Sequence, residues 1–433
     1  MARHITKNES NRNMLKDYKL SNSDFFSKHS ATIKLILFIV FSAVFFGAVT
    51  YKIILIPNGP VHEYDAHILA TVKMFQEKRI INPHFLFQLL TIIHYYLLSF
   101  LHLPTYQITG VNQIITYDWG FTAFIVMLEV YIGIELLLFY HFRLKFQSTI
   151  KNSENIAYLI AFGVSICTPI FLLAPFDGKF YLGYVTPATI YIISSQVLLK
   201  LPSLALFILS PLYFTKNKDN ATFLLTIAVL VILSGLAKPN WLIVMLPALG
   251  IVTLIHLFKR SYINWWALIV IIMASAVVLG WQYYFTFTNA SPDTYKSKII
   301  ITAPFEVLGY YSDFIFIKII LSILFPLYIT VFFWKTIKQD FLFSYGWIVF
   351  LIGMVYSGFF GEAEPYKFAG NFCWSGQIAC FMLFVSAASV FFANCVTEYP
   401  KDKQKIILGV ALFCAHVICG LIYYFRAFES SFA

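Results

Sequence analysis

Residues 32–56 read TIKLILFIVFSAVFFGAVTYKIILI, and residues 57–67 that follow read PNGPVHEYDAH. The first stretch holds two lysines and no acid. As a helix rising ~1.5 Å per residue it is longer than the ~30 Å hydrocarbon layer. It is also too long for the apolar core of a cleavable signal. It therefore reads as a start-transfer helix retained in the mature protein, behind a polar, basic tail over residues 1–32. The second stretch places two imidazoles and two carboxylates directly after that span. Ionisable groups next to a bilayer are costly to place and mark candidate sites.

The rest of the chain fixes the class. Of 433 residues 59% are hydrophobic and 12% are charged. A water-soluble chain carries about twice that charged share, so the bilayer must be the solvent. Apolar runs recur near 33–56, 84–103, 119–142, 156–175, 193–214, 221–236, 240–257, 264–287, 313–334, 342–358, 375–394 and 405–426. They are around 20 residues long rather than alternating ten-residue segments, which selects helices over barrel strands. The expectation is an all-α polytopic transmembrane bundle of about 11–13 spans. Residues 33–433 form its single membrane domain. The six cysteines lie mostly in apolar runs, show no CxxC, and read as small hydrophobes.

Lys and Arg set the expected orientation. The tail, Arg143/Lys145/Lys151, Lys216/Lys218, Lys259/Arg260, Lys335/Lys338 and Lys401/Lys403/Lys405 are assigned to the cytoplasm. The net charge of +10 is then topological and calls for no nucleic-acid partner. Loops 57–83, 176–192, 288–312 and 359–374 fall outside. Parity between loops 57–83 and 143–155 leaves the run 84–103 as an embedded segment that does not fully cross, or else a further crossing between them, or a local failure of the charge rule.

The external loops carry the chemistry. On a helix Glu63 and His67 share a face, and so do His62 and Asp65. Such a cluster can hold a divalent cation, take a proton or grip a headgroup; the plainer reading is a hydrated turn with a helix cap. Ile68, Leu69, Val72 and Phe75 interleave with Lys73, Glu77, Lys78 and Arg79, which predicts an amphipathic helix over 64–79 at the membrane surface. Loop 176–192 offers Lys179 and Tyr184 among glycines and aromatics. Loop 359–374 offers Glu362, Glu364, Lys367, Asn371 and Trp374. Aromatic faces beside amides and carboxylates suit sugar binding; the plainer reading is an interfacial aromatic belt. Lys238 sits at Lys238-Pro239-Asn240, a proline break between two runs, where it suits a phosphate or simply snorkels. Glu129 and Glu135, six apart within one run, share no face and are expected to find separate partners.

A basic tail, one span, an acidic first external loop with an amphipathic helix, and about a dozen spans resemble the GT-C membrane glycosyltransferases, in the bacterial type without a soluble C-terminal domain. A second, shorter likeness lies in Gly183-Tyr184-Val185-Thr186-Pro187-Ala188-Thr189 and Lys200-Leu201-Pro202. These are similar to an Asn-Pro-Thr segment and a Lys-Pro pair, with Thr186 in place of Asn and with Ala188 and Leu201 interrupting the pairs. The resemblance implies that Glu63 or Asp65 acts as catalytic base, that Asp65 is the candidate ligand if a divalent cation (Mg or Mn) takes part, and that the donor is a polyprenyl-phosphate-linked sugar. The acceptor would be an envelope glycan or lipid. Lys238, Lys179 or Lys367 would face the leaving phosphate, and His62, His67, Tyr184, Glu362, Glu364, Asn371 and Trp374 would line the substrate site. Such an enzyme belongs in the plasma (inner) membrane with its N-terminus in the cytoplasm. Two alternatives stand beside it: a polysaccharide polymerase or ligase, disfavoured by Arg-poor external loops, and a lipid-linked sugar flippase or transporter, disfavoured by carboxylates gathered in loops.

Overall fold

A computed structural model describes residues 5–55, 63–101, 107–110, 113–180, 183–187, 194–216, 220–288, 298–395 and 403–429. The chain opens with α1 (Ile5–Leu55), α2 (Glu63–Glu77) and α3 (Leu86–Leu98). A hairpin of β1 (Gln107–Gly110) and β2 (Gln113–Thr116), with Ile108 opposite Ile115, leads into α4 (Tyr117–Phe146). Then come α5 (Ser153–Ile166), α6 (Ala174–Asp177), α7 (Ser194–Leu209), α8 (Ala221–Ala237), α9 (Asn240–Phe258) and α10 (Trp265–Tyr283). β3 (Ile299–Ile301), α11 (Glu306–Tyr311), α12 (Ile315–Ser322), α13 (Leu324–Ile337), α14 (Phe341–Phe359), β4 (Phe360–Glu362), α15 (Cys373–Val390) and α16 (Lys403–Glu429) complete it.

Among the described residues eight helices are long and apolar enough to cross a membrane. α12 and α13 pass the same test only as a pair, bent by 65° at their junction. α5 packs along α4, and α8 lies against α7 and α10, so these shorter apolar helices run with their neighbours. The protein is an all-α, multi-pass membrane protein. Its axis is α15, where every residue from Ser375 to Val390 is buried. α14 is its closest neighbour, and small residues let the backbones meet. A Cβ on Gly353 would lie 2.7 Å from that of Ala379.

Successive antiparallel helices sort the connections into two ends. A basic end gathers the α4–α5, α7–α8, α9–α10 and α13–α14 turns, with Lys145 3.3 Å from Asp340 across it. A loop end gathers the longer connections. α3, thirteen residues and ~20 Å long, is too short to cross. It crosses the start of α4 at the loop end, with Tyr95 stacked on Trp119 at 4.0 Å. α2 is the amphipathic helix its spacing calls for, and its stripe is covered by protein. Ile68 is fully buried, and Phe75 packs on Tyr95, Tyr96 and Trp119. An apolar stripe of aromatic and branched residues finds denser contact against α3 and α4 than against lipid tails.

The bent span has a local cause. Pro326 has no N–H to offer the carbonyl one turn back, so the ladder fails at Ile323. Freed backbone groups at this depth must be satisfied by protein. Ile170 N–H donates to Leu321 C=O at 3.2 Å, and Phe325 N–H donates to His416 Nε2 at 3.4 Å. The other nitrogen, His416 Nδ1, lies 2.6 Å from Thr168 C=O, which fixes the neutral tautomer with the proton on Nδ1. α16 meets this seam through Gly420, where any Cβ would strike the Ile166 carbonyl at 1.8 Å.

Candidate functional site at the loop end

α2 turns its first turns toward the bundle. Tyr64 is buried edge-on against Phe87. His67, also buried, accepts a hydrogen bond at Nδ1 from Gln88 Nε2 at 3.1 Å, which leaves its proton on Nε2. Asp65 flanks this face, half-buried. The His67 ring lies 6.5 Å from that of His84, in the loop before α3. Burial, the Lys238 ammonium and the His67 ring push the His84 imidazole down to about 3, so it is neutral at physiological pH.

Lys238 links this corner to the next. It does not snorkel: the residue is only 6% exposed, and its ammonium sits 4.8 Å from the centre of the Trp374 ring. Such a cation–π contact holds a charge in place without neutralising it. Trp374 is itself fixed by Gln196 Nε2, which donates to its carbonyl at 3.3 Å. Just past the proline break, Asn240 Nδ2 donates to Asn371 C=O at 2.9 Å and to Ser375 Oγ at 3.0 Å. Asn371 Nδ2 donates in turn to Glu362 Oε2 at 2.8 Å. The β3–β4 ladder, Ile299 opposite Glu362, ties residues 298–301 to the same loop.

On the far side of Trp374 lies a cleft of about 80 Å³. Tyr184, Tyr311, Cys373 and Gln377 line it together with Trp374. Burial and the Asp177 carboxylate push the Tyr184 hydroxyl up to about 12, so it stays a neutral donor and acceptor. Behind Tyr184 the wall is held by charge. Lys318, fully buried on α12, pairs with Asp177 Oδ2 at 2.5 Å and lies 4.5 Å from the Tyr184 ring centre. Burial by itself raises the Asp177 carboxyl, but the Lys318 ammonium and the Lys179 N–H outweigh it and hold it below the usual carboxylate range.

The other candidates are distributed as follows. Lys179 Nζ donates to Tyr311 C=O at 2.5 Å, and Lys367 pairs with Glu306 at 2.5 Å. The Lys367 ammonium and the Ala303 N–H hold the Glu306 carboxyl below its ordinary range. Both lysines therefore serve the wall, while Lys318 sits against the Tyr184 ring and Lys238 against the Trp374 ring. Glu364 is exposed. His62 and the Glu63 side chain lie outside the described residues, although Glu63 opens α2. Among the described residues no three His, Cys, Asp or Glu are grouped to hold a metal ion. Glu129 and Glu135 do part company: Glu129 pairs with His94 of α3 at 3.0 Å, while Glu135 is buried beside Ser165 of α5.

Reading the loops alone missed Lys318, His84, Tyr311 and Gln377 as parts of this site. Lys318 had a signal, a lysine inside the apolar run IFIKIILS. Tyr311 and Gln377 had none, because only the tertiary fold turns them into the cleft. The chain matches no family model, no curated protein and no solved structure.

Proposed function

We propose that the protein is a membrane glycosyltransferase of the GT-C kind. It moves a sugar from a polyprenyl-phosphate-linked donor to an envelope glycan or lipid acceptor at the loop end. The reading places that end outside a bacterial plasma membrane, because Lys and Arg concentrate at the opposite end. One observation carries it. The first-loop helix, the lysine at the proline break and the 359–374 loop are neighbours: the His67 and His84 rings are 6.5 Å apart, His84 lies in the field of the Lys238 ammonium, and that ammonium sits 4.8 Å from the Trp374 ring centre.

The chemistry follows from those positions. Asp65 or Glu63 takes the proton of the acceptor hydroxyl as its oxygen bonds to the anomeric carbon. The bond from that carbon to the donor phosphate oxygen breaks, and the electron pair leaves on the polyprenyl phosphate. Lys238, held but still charged beside Trp374, stabilises that developing charge. Neutral His84 offers a polar contact without adding charge. The aromatic faces of Trp374 and Tyr184 suit the apolar side of a sugar ring, and Gln377 suits its hydroxyls. Protein groups alone are assigned these roles.

Asp65→Asn and Glu63→Gln keep size and remove charge. With the lipid-linked donor, the variant at the base should lose about 100-fold or more in turnover while inserting and folding normally. Wild-type transfer by both variants would overturn the assignment. The second reading, a lipid-linked sugar flippase, is favoured by the bent span, since transporters place broken helices at their substrate path. Proteoliposomes containing the purified protein separate the two. Flipping of a labelled lipid-linked sugar with no transfer would favour transport. Against it stands α15, which fills the axis where such a path would run.

A further inference from the structure

The basic end holds a second and larger cavity, about 290 Å³, between the last turn of α4, the end of α7 and the start of α14. Its wall carries one charge of each sign. Lys145 Nζ lies 3.3 Å from Asp340 Oδ2. Asp340 cannot swing away, because its Oδ1 caps α14 by accepting the Phe343 N–H at 2.9 Å. Much of the remaining lining is apolar, including Leu144, Ile208 and Phe341. Leu144 is 63% exposed on the flank of α4, so the cavity borders the lipid side of the bundle. His141 also lines it, is 6% exposed, and its buried Nε2 has no hydrogen-bond partner.

We propose that this cavity binds the headgroup of a zwitterionic phospholipid bearing a phosphate and a primary ammonium. The wall selects that chemistry. A purely anionic group meets the fixed Asp340 carboxylate, and a purely cationic one meets Lys145. A phosphate–ammonium pair replaces one ion pair by two, phosphate on Lys145 and ammonium on Asp340. His141 supplies a further polar contact to the phosphate. The acyl chains leave past Leu144 along the bundle. The cavity also sits at the right depth, since the α4 C-terminus and the α14 N-terminus both end there. The site is at the end opposite the glycosyl-transfer site and does not depend on that assignment.

Native mass spectrometry of the full-length protein in detergent tests it. The probes are phosphatidylethanolamine, phosphatidylcholine and phosphatidylglycerol with identical acyl chains. The ethanolamine lipid should be retained about 10-fold more than either other, equivalent to ~1.4 kcal/mol. Choline cannot donate a hydrogen bond to Asp340, and glycerol carries no cation. Lys145→Gln and Asp340→Asn should each abolish the preference. Ile208→Trp fills the cavity without touching a charge and should abolish retention, which covers a charge variant that fails to fold. Equal retention of the three lipids by the wild type, or a preference surviving Ile208→Trp, overturns the proposal. So does free phosphoethanolamine bound as tightly as the lipid, because the ligand would then be soluble.

Discussion

The two ends of the bundle start their helices differently. At the basic end α8, α10 and α14 each open on a side chain that caps its own helix, while α5 does not. Asn220, Asn264 and Asp340 accept from Phe223, Ala267 and Phe343 N–H at 2.8, 3.1 and 2.9 Å. At the loop end the cap residues of α4, α9, α12 and α15 make no such bond. There the work passes to distant residues: the Gly376 N–H of α15 donates to Ser357 Oγ of α14 at 3.0 Å. At the basic end three helix starts are set locally, each by one residue. The other end is specified by the assembled fold, which leaves its polar side chains free of a capping role and close to one another.

That contrast breaks first at the buried ion pair. Lys318→Met should leave Asp177 uncompensated in the loop-end wall and destabilise the protein by about 3–5 kcal/mol. Lys318→Met with Asp177→Asn should recover most of that loss. The check is thermal or SDS unfolding of the purified protein. Equal loss in the single and double variants would mean that the pair does not hold the wall.

A smaller effect comes from acid. His84 is held near 3 in the folded protein against an ordinary 6.5. Its folded-state pKa is depressed, so the unfolded chain binds the extra proton in this window. Its contribution is complete above pH 6.5 and is lost progressively as pH falls toward 3. Between pH 6.5 and 5 stability should drop by at most about 2 kcal/mol. His84→Gln should flatten that part of the profile. A profile unchanged by the substitution would show that His84 is not pressed between Lys238 and His67.

The smallest effect sharpens the contrast from the other side. Asn264→Ala should cost about 1 kcal/mol, confined to the start of α10. Amide hydrogen exchange should quicken in the first turn of α10 and remain unchanged around Trp374. A spread to Trp374 would mean that the two ends are not separately specified.

The same contrast decides what could be read in advance. The helices, the amphipathic α2 and the break before Asn240 follow from run length, apolar spacing and one proline, all local signals. Of the candidate-loop residues Trp374 sits against Lys238, and Asn371 accepts at its carbonyl from Asn240, two residues on from Lys238. Their division of labour was not legible. Lys179 and Lys367 look no different from Lys238 in sequence, yet the first two are committed to Tyr311 and Glu306. The bend at Ile323 depends on Ile170 and His416, more than 90 residues away in each direction, which no local window contains.

The axial helix also comes late among the described helices. α1 through α14 precede Cys373–Val390 in the chain, so they emerge from the ribosome before it. Until then the spans surround an unfilled centre, and Ser357, Asn240 and Gln196 lack the Gly376, Ser375 and Trp374 partners they later hold. Close packing of the earlier spans therefore waits on a helix that emerges after them. A chain stopped short of residue 373 would lack α15 and α16 and would leave Ser357, Asn240 and Gln196 without those partners.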